Sequence, residues 1–253
     1  MKITVIPHPI RHHRRIVEGN LHLPSSRRNA PLVIFSHGYN GNMNDFSGFA
    51  DLLAENGIAA YRYNFCGGSV NAQKTLKTTE MTLFTEAEDL EAVLCDLRQH
   101  PAIDMQNVFL FGGSQGGLVT AMVAAKYRQD VKGMILLFPA LCIADNWRER
   151  FPSDADIPDD VTLWGMKLGR IFFESIRRFD PFPLLGEFPR DVLILHGEKD
   201  EVVPIAYSER AQKTFPHARL IAFPEEGHGF SPSGNAEAVS YTHLRAHETL
   251  RHL

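Results

Sequence analysis

Ser114, Asp200 and His228 are the side chains whose types, order and surroundings could act together on a carbonyl. A serine hydroxyl is a poor nucleophile unless a base takes its proton and a carboxylate orients that base. Ser114 stands in Gly112-Gly113-Ser114-Gln115-Gly116, a G-x-S-x-G pattern. The preceding Asn107-Val108-Phe109-Leu110-Phe111 reads as a buried strand, and the residues from Leu118 to Ala125 are rich in helix formers. On such a sharp turn the hydroxyl projects above a sheet, and the flanking glycines let strand and helix approach closely. The helix N-terminus behind it favours negative charge on a bound oxygen.

In a strand-turn-helix hydrolase the partners follow in the order serine, acid, histidine. Leu193-Ile194-Leu195-His196-Gly197-Glu198-Lys199-Asp200 reads as a strand ending in an acidic turn, and Pro224-Glu225-Glu226-Gly227-His228-Gly229-Phe230 as a glycine-flanked loop after the next strand. Asp200 is the favoured acid, although Glu198 and Glu201 flank it, and His228 is the favoured base. His196, at a strand end, reads as structural, His217 as an exposed loop residue, and Asp180 as a cap or turn before Pro181. A tetrahedral oxyanion also needs two backbone donors. These are expected from the amide of Gln115 and from that of Tyr39 in Ser36-His37-Gly38-Tyr39-Asn40-Gly41, where Gly38 permits a tight turn and His37 positions the loop.

Placing these groups requires strands alternating with helices. Strand-like runs lie near 3–6, 15–18, 32–36, 58–64, 108–111, 133–138, 192–196 and 219–223, and helix-like runs near 44–55, 81–98, 116–127 and 205–214. Alternation of continuous apolar strands with helices implies a mostly parallel central sheet covered on both faces, with ligands at the carboxyl ends of its strands. The alternation breaks between Pro139 and Pro189. A connection that long reads as an insertion over about 140–189 that covers the site as a lid, with an aromatic and basic helix around 164–179. Trp147, Trp164, Phe172, Phe173 and Phe179 supply either an apolar acyl pocket or a small core within the lid. The insertion holds no tyrosine to grip a phenolic acid.

Length, 253 residues, allows one large domain or two small ones, and 44% hydrophobic with 22% charged residues is an ordinary globular balance. The N-terminus carries no apolar signal core and no run reaches membrane-spanning length, so a cytoplasmic protein is expected, with no membrane partner. The net charge of −4 comes without blocks of like charge, and Arg11, Arg14 and Arg15 read as a solvated loop or edge strand rather than a nucleic-acid surface. Cys66, Cys95 and Cys142 are scattered and read as reduced, buried thiols. No metal site is expected, because His12, His13 and the acids lack ligand spacing.

Val239-Ser240-Tyr241-Thr242-His243-Leu244-Arg245-Ala246-His247-Glu248-Thr249 resembles one reading frame of a transposon-type sequencing adapter. Residues 239–253 are therefore expected to be a non-native tail on a domain of residues 1–238, with a final helix missing or imitated by foreign sequence. His243, His247 and His252 receive no functional weight.

With these residues assembled, the chain resembles the α/β-hydrolases from about Leu32 to Phe230. More closely it resembles the bacterial cinnamoyl (feruloyl) esterase-like branch, also called serine aminopeptidase-like hydrolases. The segments that carry this are His37-Gly38-Tyr39-Asn40-Gly41-Asn42, Arg62-Tyr63-Asn64-Phe65-Cys66-Gly67-Gly68-Ser69 and Met81-Thr82-Leu83-Phe84-Thr85-Glu86-Ala87-Glu88-Asp89-Leu90, with the nucleophile, acid and histidine segments. The resemblance implies hydrolysis of carboxylic esters, among them hydroxycinnamoyl or other aryl and short-acyl esters, through an acyl-enzyme and without a cofactor. The expected partner is a small-molecule ester. A peptidase or amidase of the same fold and a non-catalytic ligand binder are the alternatives. Acyl group, alcohol and oligomeric state are not legible in the sequence.

Overall fold

The structure, a computed structural model, describes residues 3–25, 29–72 and 75–251, with side chains as far as Tyr241. The chain opens with β1 (Ile3–Pro7), a hairpin of β2 (Ile10–His12) and β3 (Arg15–Val17), and β4 (Gly19–Pro24). Then come β5 (Ala30–Ser36), α1 (Ser47–Glu55), β6 (Ala59–Tyr63), α2 (Leu83–Leu97), β7 (Ile103–Gly113), α3 (Gln115–Lys126) and β8 (Gly133–Leu137). The long connection holds α4 (Ile143–Arg150), β9 (Asp160–Leu163), β10 (Met166–Gly169), α5 (Arg170–Ile176) and α6 (Phe182–Leu185). β11 (Asp191–Gly197), α7 (Ala206–Thr214), β12 (Ala218–Phe223) and α8 (Pro232–Arg251) follow.

Eight strands form one sheet in the order β1-β4-β6-β5-β7-β8-β11-β12. β4 pairs antiparallel with β1 and β6, and every pairing from β6 to β12 is parallel. This is the expected mostly parallel sheet. Period-two alternation explains its burial on both faces. In β5, Leu32 and Ile34 join the apolar cluster that includes α2 and α3, while Val33 and Phe35 join the one that includes Phe49, Ala50 and Leu53 of α1. From β5 the chain steps to β6 on one side and then crosses to β7 on the other, so the connections diverge between β5 and β7. Ligands of open α/β sheets bind at such a switch point, outside the carboxyl ends of the strands. Residues 36–41 and Ser114 both lie there.

Several local expectations need correction. Residues 15–17 pair only with β2, while the strand that joins the sheet is β4. Arg15 is not solvated: its guanidinium sits 3.3 Å from Asp89 and donates to the Thr85 carbonyl and Glu88. The helix expected over 164–179 is split, because residues 166–169 pair with β9 and only Arg170–Ile176 is helical. Cys95 is exposed, while Cys66 and Cys142 are buried, and burial pushes the Cys142 thiol up to about 11. Apart from these corrections, helix α8 spans residue 239, with Ala238 buried and Val239 and Tyr241 packed against the α1-side cluster. Among the described residues no helix is long and apolar enough to cross a membrane.

Candidate active site

Ser114 sits between the end of β7 and the first residue of α3 with φ 52° and ψ −121°. A non-glycine residue there costs on the order of 1–3 kcal/mol and persists only when its surroundings over-determine it. They do. The Ser114 N–H donates to Leu137 O at 2.9 Å, and its carbonyl accepts from the amides of Gly117, Leu118 and Ala140. The glycines act through close approach: a Cβ on Gly112 would lie 2.3 Å from Gly116 O, and one on Gly116 2.3 Å from His37 O. Gly38 serves the same purpose, since a Cβ there would come 3.1 Å from that of Ser114.

The three expected side chains meet across the strand ends. His228 Nδ1 lies 2.8 Å from Asp200 Oδ2, and Nε2 lies 3.0 Å from Ser114 Oγ. With Nδ1–H given to the carboxylate, the Nε2 lone pair faces the serine hydroxyl. The Phe138 ring, 4.7 Å from the imidazole between centroids, backs it. Neither flanking glutamate takes the place of Asp200, as both are exposed.

Asp200 is buried, and burial alone would raise its carboxyl. Hydrogen bonds from His196, His228 and the Val203 amide outweigh burial and hold it well below the usual carboxylate range. Oδ1 accepts the Val202 and Val203 amides at 2.9 and 2.8 Å. His196 is structural as expected, but it also touches the acid. Its Nε2 donates to Val203 O at 2.9 Å and lies 3.3 Å from Asp200 Oδ2, while the Ser208 hydroxyl donates to Nδ1. The i, i+4 spacing to Asp200 across a strand end was the available signal.

The two expected oxyanion donors line the same cavity as Ser114. Gln115 N–H opens α3, where no intrahelical acceptor exists. No acceptor among the described residues takes up that amide or the amide of Tyr39. His37 positions this loop: it accepts the Phe65 N–H at Nε2 and donates from Nδ1 to Gly38 O, and burial lowers its affinity for a second proton. Beneath the site the Gln115 side chain donates to Glu86 at 2.8 Å. That buried carboxyl carried no signal in the sequence beyond an acid early in a helix.

Two spaces adjoin Ser114. One, of about 360 Å³, runs between α4 and the β9–β10 hairpin and is lined by Trp147, Trp164, Phe172, Leu163 and Leu168, with Asn146, Arg150 and Glu201 among its polar side chains. Phe173 is not in this lining but lies behind it, ring to ring with Trp147, Phe151 and Phe172. The aromatic residues of the long connection thus divide between a cavity wall and a small core. The other space, of about 700 Å³, lies on the His228 side. His12, Cys66 and Asp89 come together elsewhere, their ligand atoms within 4.8 Å of one another. Asp89 already accepts from His12 and from the Cys66 backbone amide, with Arg15 against the same carboxylate, while the Cys66 thiol donates to Ile16 O; this is a buried polar network and a poor host for a second cation.

A doubly covered parallel sheet with a serine on such an elbow is the architecture of the α/β-hydrolases. Within that fold the chain belongs to the serine aminopeptidase family (Serine aminopeptidase, S33), which it matches over residues 27–175. Residues 181–243 also match the TAP-like protein family. Est1E from Butyrivibrio proteoclasticus, in a structure with ferulic acid bound, superposes with a TM-score of 0.85 at 24% identity, covering 94% of this chain and 98% of that one. The esterase domain of a Rhodothermus marinus protein superposes at 0.72 with 20% identity, covering 99% of each chain. The acylamino-acid-releasing enzyme of Homo sapiens is 22% identical over 227 residues, 82% of this chain and 30% of the human protein. The chain thus spans about a third of the length of the first curated relatives it matches.

Proposed function

We propose that this chain is a serine esterase working through an acyl-enzyme. The observation that carries this reading is the Ser114–His228–Asp200 relay, at 3.0 and 2.8 Å, facing an apolar cavity. Ser114 attacks the ester carbonyl while His228 takes its proton and Asp200 stabilises the imidazolium. The amides of Tyr39 and Gln115 receive the oxyanion, and the acyl group occupies the cavity that Gln115 borders, under a lid formed by the long connection. The alcohol leaves with the proton from His228, and water activated by the same imidazole releases the acid.

A peptidase of the same mechanism is the second reading, favoured by the family and by the similarity to an acylamino-acid-releasing enzyme. Hydrolysis of short p-nitrophenyl esters, methyl ferulate and an aminoacyl-p-nitroanilide, each compared with Ser114→Ala, separates the two. Ester turnover that falls by at least about a thousandfold in Ser114→Ala is expected. Turnover of the anilide alone would move the reading to a peptidase, and no turnover by folded protein would leave a ligand binder.

A further inference from the structure

We propose that the cleft on the His228 side of Ser114 is the leaving-group subsite and that it selects a bulky, apolar alcohol. This rests on the reading of Ser114 as nucleophile and His228 as its base. As the Ser114 Oγ–carbonyl bond forms and the ester bond to the alcohol oxygen breaks, that oxygen takes the proton His228 received from Ser114. The departing group must therefore lie in space that His228 borders. The two spaces beside Ser114 divide on this criterion. Gln115, one oxyanion donor, borders only the cavity under the long connection, and His228 borders only the larger cleft. Tyr39 and Trp164, ring against ring, border both beside Ser114 and stand as the partition between acyl and alcohol.

The chemistry of the cleft fixes the class of alcohol. Phe46 and Phe49 beside and within α1, Leu137 and Phe138 at the end of β8, and Pro232 and Ala236 of α8 form its walls. Apart from the reacting pair, few polar side chains border it: Asp45, Asn235 and the polar tips of Tyr39 and Trp164. Asp45 accepts the Asn42 amide at 3.0 Å, and Asn235 donates to the carbonyls of Gly229 and Phe230 at 3.2 Å. A polyol placed there would exchange water for hydrocarbon with few partners in return, whereas an aryl or alkyl group would gain from burial. Gly48 in α1 borders the cleft at an exposed position, and an added Cβ there meets nothing within 4 Å, so a larger side chain has room at the cleft's edge.

The test is kcat/KM of the full chain for acetate esters of methanol, benzyl alcohol and glycerol. Methanol and benzyl alcohol are similarly acidic, so their ratio reads the cleft and not the leaving-group chemistry. The benzyl ester is expected to exceed the methyl ester by about tenfold or more, with glyceryl acetate no better than methyl. Gly48→Leu, which adds a side chain at the border of the cleft while improving helix propensity, should lower the benzyl-to-methyl ratio by about tenfold, and Gly48→Ala should lower it less. A wild-type ratio near one, or a ratio unmoved in both Gly48 variants, with hydrolysis still dependent on Ser114, would overturn the cleft assignment alone. Loss of all Ser114-dependent hydrolysis would overturn it together with the esterase reading.

Discussion

Asp200 keeps its charge inside the protein because donors surround it: two backbone amides on Oδ1, and the imidazoles of His228 and His196 facing Oδ2. In the proposed mechanism this fixed charge selects the His228 tautomer with its lone pair toward Ser114. Asp200→Asn would present an amide N–H or a weaker acceptor to Nδ1, and kcat is expected to fall by about ten-thousandfold with the far-ultraviolet dichroism unchanged. The same charge links to pH. Its folded carboxyl lies below the unfolded value of about 3.9, so the stability it contributes is present above that value and is lost as pH falls below it. Asp200→Asn should therefore show a shallower acid limb in a Tm–pH series than the wild type. The roles proposed for Ser114, Asp200 and His228 were legible in sequence because each stands at a strand end with its own turn residues. The second histidine was not, because the contact of His196 with the acid depends on how the turn after β11 closes.

Between elements, the loop that carries one proposed oxyanion donor is tied to the tip of the β9–β10 hairpin. The Tyr39 hydroxyl lies 3.1 Å from both the Leu163 and Met166 carbonyls, and Asn40 Nδ2 donates to Trp164 O at 3.1 Å. The ring of Trp164 lies edge-on to that of Tyr39 at 5.9 Å. If the Tyr39 amide stabilises the transition state, the hairpin and the rate are coupled. Tyr39→Phe, which removes only the hydroxyl, is expected to lower kcat about tenfold, with KM moving less, in steady-state ester hydrolysis. An unchanged kcat would uncouple the hairpin from the chemistry. The hairpin was illegible in sequence for a physical reason. Its turn places Trp164 at φ 42° and Gly165 at φ 79°, and tryptophan is a poor signal for a left-handed residue. The aromatic run 164–179 consequently read as one helix. The core strands of the parallel sheet were legible because continuous apolar runs of their length have few other homes, whereas β4, with His22 and Asn20 among its leucines, gave no such run.

Over the whole molecule the site rests on a buried acid. Glu86, near the start of α2, is almost completely excluded from solvent, and a Cβ on Gly68 would lie 2.9 Å from its Oε1. Burial pushes its carboxyl up to about 8, against the hydrogen bond from Gln115 that lowers it and with the charge of Asp89 adding to the rise. Between about 4.3, the unfolded value, and about 8 the folded chain holds a proton that the unfolded chain releases. Stability is thus expected to decline as pH rises through that window and to level off above it. Glu86→Gln should flatten Tm between pH 5 and pH 8; a slope equal to that of the wild type would remove Glu86 as its source. Composition and pattern made the layered fold and the strand ends that hold its site readable, but not this dependence, which arises only when a helix acid is packed under the elbow. The central claim, nucleophilic catalysis by Ser114, is tested most directly by trapping the intermediate. Rapid acid quench of the full chain turning over a p-nitrophenyl ester, followed by mass spectrometry of its peptides, should find one acyl group per molecule, carried on Ser114. Ester turnover with no covalent acyl group, or with acylation at another residue, would contradict the account.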